Sequence, residues 1–394
     1  ATPPTASAPL SALPTVFDPL LDVEFLDSLS SPFIMSRFLQ GEADDSLYGF
    51  STAVSADMSV LAVGATNAID ENGDHTGAVY LYSIDTSDVG SIPTLLQVIY
   101  GSNPEDEFGN DVKLSDDGNR LVVAARSENE QEGAIRIYER TPGSNEWYVI
   151  RTIVGAGDGS RAGWSVAISG DGNVVAMGST KGGSNDGGIV STYIAPDWEL
   201  YGPMIEAQTP RDVFGFSVSL NGDGTMIAVG SVKAANPDRV TNAGRAEMFS
   251  FNGTLWNSQF EVFGETRQAY DGSSVALARD GNLIVVGGRG FTNDGGDTPA
   301  IGRCRIFERT GTGEYVLLST IVGKNSREEL GWSASISADG NKVACGGKGG
   351  QMLDFGGTGV ARVWDRLSLV ESEVLPRGEK FSSVKGASFG SSVS

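Results

Sequence analysis

One frame of residues recurs six times along this chain, so the fold must be built by repeating one small unit. Gly163-Trp-Ser-Val-Ala-Ile-Ser-Gly-Asp-Gly-Asn-Val-Val-Ala-Met-Gly-Ser179 lies over Gly215-Phe-Ser-Val-Ser-Leu-Asn-Gly-Asp-Gly-Thr-Met-Ile-Ala-Val-Gly-Ser231. The same frame opens at Gly49, Gly109, Gly272 and Gly331. In each copy an Asp follows the opening Gly by eight positions: Asp57, Asp117, Asp171, Asp223, Asp280 and Asp339. Five of these precede a Gly; Met58 follows Asp57. The starts are 60, 54, 52, 57 and 59 residues apart, and a seventh start, Gly390-Ser-Ser-Val393, comes after another 59.

Each unit reads as four strands. The first alternates Trp164, Val166 and Ile168 with Ser165, Ala167 and Ser169, the period of a strand with one bulky and one small face. Small residues suit a strand near an axis where neighbouring sheets converge. Asp-Gly then makes a tight hairpin, because Gly accepts positive φ without steric cost. A short apolar second strand follows, as in Leu61 to Ala65 or Leu283 to Gly287. The third opens at a Gly and carries an aromatic five residues later: Gly77/Tyr82, Gly133/Tyr138, Gly188/Tyr193, Gly244/Phe249, Gly302/Phe307 and Gly359/Trp364. The fourth runs from an aromatic towards a Gly, as in Trp147 to Gly155 and Tyr315 to Gly323, with Trp198 and Trp256 in the same place in their units. Four strands in each repeat of this size make a propeller blade. No segment keeps a 3.6-residue period, which excludes a helical solenoid.

Phe-Gly-x-Ser-Val, then Asp-Gly, Ala-Val-Gly and Gly-x-Val-x-x-aromatic, resembles the FG-GAP repeat that builds the seven-bladed head of integrin α chains and many surface or secreted proteins. The literal pair stands at Phe108-Gly109, Phe214-Gly215 and Phe389-Gly390, and drifts to Tyr48-Gly49, Ala162-Gly163, Asp271-Gly272 and Leu330-Gly331. The resemblance covers about residues 32–394 and implies an all-β, seven-bladed β-propeller behind a Pro/Ser/Thr-containing tail over 1–31. Integrin blades often carry a calcium loop with several carboxylates between the first two strands, because hard cations need six to eight oxygens. Here that loop is cut to Ser169-Gly-Asp171-Gly or Asn221-Gly-Asp223-Gly, one carboxylate per turn, so the six turns are expected to hold no calcium.

The formal charge is 28 − 50 = −22, which repels phosphates and argues against a nucleic-acid partner. No apolar run approaches the ~20 residues of a membrane helix. The tail, Ala1-Thr-Pro-Pro-Thr, fits either the end left by a removed presequence or a disordered extension. Two cysteines and one histidine exclude a disulfide-dense scaffold and a Cys/His zinc site. His75 sits in a Gly/Asp-rich loop with no nucleophile motif. Cys304 and Cys345 replace buried apolar residues on strands of different blades. With packed sheets ~10 Å apart, they are expected to be two free, buried thiols. The glycine string Gly155-Ala-Gly157-Asp-Gly159 feeds no helix and reads as a turn, not a phosphate cradle.

The loops from strand two to three and from strand four to the next blade share one rim and hold much of the acid. Asp44, Asp45, Glu105, Asp106, Glu107, Glu328 and Glu329 are candidates for a partner-binding rim, set against plain solvation. Asp70, Asn72 and Asp74 form the best isolated metal candidate, with Ca2+ as the ion that rim loops of this kind would take. Asn252-Gly-Thr254 is a glycosylation sequon in a turn, usable in a secretory pathway. Three functions compete. One is a non-catalytic extracellular or surface protein that binds a protein partner or assembles with itself. Another is a carbohydrate-binding module, against which the regularly placed aromatics read as core. The last is a hydrolase or lyase, which needs paired carboxylates on the first strands, where only Asp111 is acidic.

The ends are expected to meet. Phe33 to Gly41 aligns with the fourth strands, and Phe389 to Ser394 supplies a first strand. Together they form the outer parts of a seventh blade that is incomplete in this sequence. Its missing strands imply a natural chain longer by roughly 25 to 31 residues. The rival reading is strand exchange with a neighbouring molecule.

Overall fold

The computed structural model of the protein describes residues 39, 46–87, 91–157, 159–293, 299–349, 359–367, 370–374 and 392–394. These form six antiparallel sheets, each laid down in chain order. Blade 1 is Tyr48–Val54, Val60–Ala65, Ala78–Ser83 and Thr94–Tyr100; blade 2 is Phe108–Leu114, Arg120–Ala125, Ala134–Arg140 and Trp147–Val154. Blade 3 is Ala162–Ile168, Val174–Ser179 and Ile189–Ile194, with its outer edge split into Glu199–Leu200 and Ile205–Glu206. Blade 4 is Phe214–Leu220, Met226–Ser231, Arg245–Phe251 and Trp256–Phe263; blade 5 is Asp271–Leu277, Leu283–Gly288, Arg303–Arg309 and Tyr315–Val322. Blade 6 is Leu330–Ile336, Lys342–Gly347, Val360–Asp365 and Val370–Val374. The fold is a β-propeller of four-stranded blades, and the described residues build six blades where seven were expected.

The first strands of successive blades pack side by side from blade 1 to blade 6, which places them innermost. Among the described residues no comparable packing joins Leu330–Ile336 back to Tyr48–Val54, so the six sheets do not close on one another. Most residues expected in a seventh blade lie outside the described ones, and the few that are described pair in no ladder. They do meet blade 1. Leu39 packs on the apolar cluster of Val63, Ala65, Ala78 and Tyr80, and Thr52 N–H donates to Ser392 Oγ at 3.0 Å. Asp111 stands in the same relation to blade 3: two residues after its frame Gly, it accepts from the N–H of Val166, three residues after the next frame Gly.

The frame residues earn their places at the contacts between blades. A Cβ on Gly64, Gly178, Gly230 or Gly287 would stand 2.1 to 2.3 Å from the frame-Gly carbonyl oxygen of the next blade. Backbone therefore rests on backbone at these points. The Ser of the frame binds the same carbonyl: Ser51 donates to Gly109 O (2.8 Å), Ser165 to Gly215 O (2.9 Å), Ser217 to Gly272 O (2.9 Å) and Ser274 to Gly331 O (3.0 Å). The small face of the first strand thus meets the next blade. Third-strand aromatics fill the space further out, with Tyr82, Tyr138, Phe249, Phe307 and Trp364 all buried.

Close packing of this kind overturns the expectation of free thiols. Cys304 stands opposite Gly287 in its ladder, and Gly287 lets blade 6 approach until the Cα atoms of Cys304 and Cys345 are 6.6 Å apart. The two are joined in a buried disulfide between blades 5 and 6. The ~10 Å spacing holds for faces separated by full side chains, and here glycine removes one layer.

Candidate functional site

The frame Gly does not sit in a regular ladder. In blade 4, Phe214 faces Ser231 and Ser217 faces Gly230, so Gly215 and Phe216 together have no counterpart. The same two-residue bulge opens blades 1, 3, 5 and 6. Six frame glycines hold φ between +74° and +91°, and the residue two before each is left-handed as well: Leu47, Glu107, Arg161, Val213, Tyr270 and Glu329. A bulge re-aims a side chain out of the ladder. The residue so extruded is Phe50, Asn110, Trp164, Phe216, Ser273 or Trp332, always at the inner end of the blade on the long-loop side.

The aromatic ones, Phe50, Trp164, Phe216 and Trp332, come together at the mouth of the central channel, whereas Asn110 and Ser273 are buried. Trp164 and Phe216, from adjacent blades, have ring centroids 5.6 Å apart. Arg126 of blade 2 lies over Phe50 of blade 1 (5.8 Å) and Trp164 of blade 3 (4.6 Å). Arg289 of blade 5 lies over Phe216 (5.5 Å), Tyr270 (5.5 Å) and Trp332 (4.3 Å), which belong to blades 4, 5 and 6. Arg161 adds a contact on Trp164 (5.8 Å), and Lys348 one on Trp332 (4.5 Å). The result is a belt of rings and cations that runs from blade 1 to blade 6. Arg126 pairs with Glu107, and Arg161 Nη2 donates to Gln131 Oε1 at 3.1 Å. Burial lowers the pKa of Arg289, and the charge of Glu329 opposes that shift.

The opposite end is closed differently. Each hairpin Asp is spent on its own turn: Asp117 Oδ1 accepts from Ser115 Oγ (2.6 Å) and Asn119 N–H (3.0 Å), and Asp339 Oδ1 accepts from Ser337 Oγ (2.5 Å) and Asn341 N–H (3.0 Å). The turns then bond to one another, Asp116 N–H to Gly170 O (2.9 Å) and Gly222 N–H to Arg279 O (2.8 Å). Asp116 of blade 2 and Arg279 of blade 5 pair at 2.5 Å, which carries an ion pair across the axis.

The acidic candidates divide. Asp44 and Asp45 lie outside the described residues. Asp106 and Glu328 are buried. Asp106 accepts from Asn103 (N–H 3.1 Å), while Glu328 takes the Arg362 guanidinium (2.7 and 3.0 Å) and the N–H groups of Lys324 and Asn325 (2.8 Å each). Glu105 is exposed; Glu107 and Glu329 are half-buried beside the belt. Glu105 and Glu107 share an open groove between blades 1 and 2 with His75, Asn103, Glu130 and Gln131. Asn129, Glu130 and Gln131 form a left-handed turn on its wall.

Asp70 closes its own loop, its Oδ1 accepting from Asn72 N–H (2.9 Å) and Asp74 N–H (3.0 Å). The Asp74 bond leads the causes that hold its carboxyl below the usual range. Among the described residues no group of three or more His, Cys, Asp or Glu side chains is placed to hold a metal ion. Asn252 is exposed in its turn, where its Oδ1 accepts from Thr254 N–H (3.0 Å) and Leu255 N–H (2.9 Å). Asp111 pairs with Lys113 at 2.6 Å. A second first-strand carboxylate, Asp271, is fully buried and faces Arg303 (3.0 Å) and Arg305 (3.3 Å).

The belt is the feature that strand alternation alone misses. Aligning the six units does place Phe50, Trp164, Phe216 and Trp332 in one column. The signal for extrusion is the left-handed Gly before each. No protein-family model matches this chain, and no curated protein matches it either.

Proposed function

We propose that this chain is a non-catalytic interaction protein of the FG-GAP propeller type, secreted or displayed at a cell surface, whose long-loop face binds a basic protein partner. The observation that carries this reading is how the acid is distributed. First-strand carboxylates are committed to Lys113, Arg303 and Arg305, whereas Glu105 and Glu130 stand exposed around the groove between blades 1 and 2. An exposed acidic rim attracts and orients a basic surface more than it adds raw affinity. The buried disulfide supports an oxidising compartment, and no helix among the described residues is long and apolar enough to cross a membrane. The contact of Ser392 with Thr52 supports a seventh inner strand contributed by the C-terminal residues.

The test is charge reversal on the intact chain. A partner co-purified from the native source should bind at least about tenfold more weakly to Glu105→Lys/Glu130→Lys, and wild-type binding should weaken with salt. Retention of that partner by the double variant at unchanged affinity would remove the acidic rim from the reading.

A further inference from the structure

We propose that the aromatic and cationic belt at the channel mouth is a binding site for an acidic glycan, a pyranose chain bearing carboxylates. The reasoning is independent of the outer acidic rim. In a chain of net charge −22, four cations gather at one opening: Arg126, Arg161, Arg289 and Lys348. Among the described residues, Glu107 pairs with Arg126 and the charge of Glu329 acts on Arg289, while no carboxylate forms an ion pair with Arg161, Arg289 or Lys348. The rings are half-buried or exposed, so each keeps a surface towards solvent.

Arg289 decides the ligand. Three rings surround its guanidinium, and among the described residues no acceptor takes its N–H protons. Its side chain is half-buried, not fully enclosed. The rings hold the cation in place while its N–H donors keep no acceptor among the described residues. A planar carboxylate meets such a fork with two parallel charge-assisted hydrogen bonds. A sugar ring offers C–H faces to Trp164, Trp332 and Phe216, the amphipathic surfaces suited to a ligand that is apolar on one face and polar at its edge. Lys348, exposed on Trp332, supplies a second point charge for the next acidic residue of the chain. A structural belt whose only task was to rigidify the mouth would not need donors left without acceptors in a half-buried position.

The probe is a galacturonic acid oligosaccharide, titrated into the intact protein by calorimetry and followed by tryptophan fluorescence. A neutral galactose oligosaccharide of equal length and inorganic phosphate serve as comparisons. We expect saturable binding of the acidic chain, with Trp fluorescence changed, and at least about tenfold weaker binding of both comparisons. Arg289→Gln and Trp332→Ala should each cost about tenfold or more, Lys348→Gln several-fold, and Arg151→Gln, exposed on the outer strand of blade 2, nothing. Lys348 is exposed, so its variant keeps the test open if Arg289→Gln fails to fold by circular dichroism. No binding of the acidic oligosaccharide, equal binding of the neutral one, or full affinity in both Arg289→Gln and Lys348→Gln would overturn the proposal. Phosphate binding as tight as the sugar acid would reduce the site to a simple anion site and overturn the glycan assignment.

Discussion

Blades 2 and 5 open on the same frame position with opposite chemistry. Phe108 is fully buried in the apolar cluster between blades 1 and 2, with Val79, Leu81, Leu121 and Val123. Asp271, its counterpart in blade 5, is equally buried and faces Arg303 and Arg305, with Glu265 completing the group at 3.1 Å from Arg303. Arg303 also lies 4.1 Å from the Phe291 ring centroid. One backbone thus accepts a hydrocarbon or an ion cluster at the same point; the third strand changes with it from Ala134 to Arg303 but keeps an arginine at Arg136 and Arg305, and Arg136 lies 5.5 Å from the Phe108 ring centroid. The ionic solution is also imperfect: Asp271 Oδ1 and the Nε atoms of Arg303 and Arg305 have no hydrogen-bond partner. Such a cluster is strongly destabilised by losing one member, yet it is a weak source of stability when whole.

The largest effect should therefore come from breaking the cluster. Asp271→Ala leaves two buried guanidinium groups with Glu265 as their one carboxylate partner among the described residues, and should lower unfolding free energy by about 3–5 kcal/mol in urea titration. Replacing the whole set by its blade 1 equivalents, Asp271→Tyr with Arg303→Ala and Arg305→Tyr, should recover most of that loss. Those blade 1 equivalents are Tyr48, Ala78 and Tyr80, where the two Tyr rings pack edge-on at 5.2 Å. If the triple variant is as unstable as Asp271→Ala, the blade 1 side chains cannot replace the ion cluster, and this backbone position is not interchangeable between blades.

The next largest effect concerns the neighbouring interface. Blades 5 and 6 are tied by Cys304 and Cys345, which are 41 residues apart in sequence. Reduction should destabilise the protein by about 2–4 kcal/mol. Peptide mapping without reductant should recover the two cysteines in one crosslinked species, and recovery of two free thiols would contradict the pairing.

Between blades 3 and 4 the charge is titratable. Burial pushes the Glu247 carboxyl up to about 7, against the pull of Arg245 and with the push of Glu261 and Asp212. The folded protein holds this proton more tightly than the unfolded chain. Its contribution to stability is therefore fully present below the ordinary carboxyl value of 4.5 and is lost as pH rises through about 7. Wild type should lose roughly 1–3 kcal/mol across that window relative to Glu247→Gln. Parallel stability profiles for the two proteins would show that Glu247 titrates normally.

How much of this was legible depends on whether a feature stays within one unit. The hairpin Asp, its Gly and the third-strand aromatic repeat at fixed offsets, so the strands, their order and the core aromatics could be read from the residues. The ion clusters could not, because they are exceptions to the repeat. They do leave a trace: Asp212 with Arg245, Asp271 with Arg303 and Glu328 with Arg362 lie 33, 32 and 34 residues apart, each an acid before or at the frame start and an Arg on the same blade's third strand. Six units in one chain serve as their own alignment, and a paired departure within one unit marks a contact. The channel belt was hidden for another reason. Trp164 fits the alternation of its strand, and only the left-handed Gly163 reveals that it leaves the ladder. The blade spacing at the cysteines was misjudged because a glycine in the facing strand changes the distance between sheets without altering the strand pattern.

The smallest effect tests whether a repeat position is fixed by backbone shape alone. Five hairpins place Gly after the Asp, with φ between +65° and +75°: Gly118, Gly172, Gly224, Gly281 and Gly340. Blade 1 has Met58 there, at φ 60° and 58% exposed. Its side chain buries little, so packing offers no compensation for a left-handed conformation that costs an L-residue about 1–2 kcal/mol. Asp57 still closes the turn, accepting from Ser55 Oγ at 2.6 Å and Ser59 N–H at 2.9 Å, so the turn geometry is held in place despite the residue within it. Met58→Gly removes the steric cost but gives the unfolded chain more freedom, and the two terms oppose each other. The net should be a gain of about 0.5–1 kcal/mol, seen as a higher urea midpoint at unchanged slope. Met58→Ala keeps the Cβ and should gain nothing. A gain from Ala equal to that from Gly would mean that the exposed Met side chain, rather than the left-handed backbone, carries the penalty.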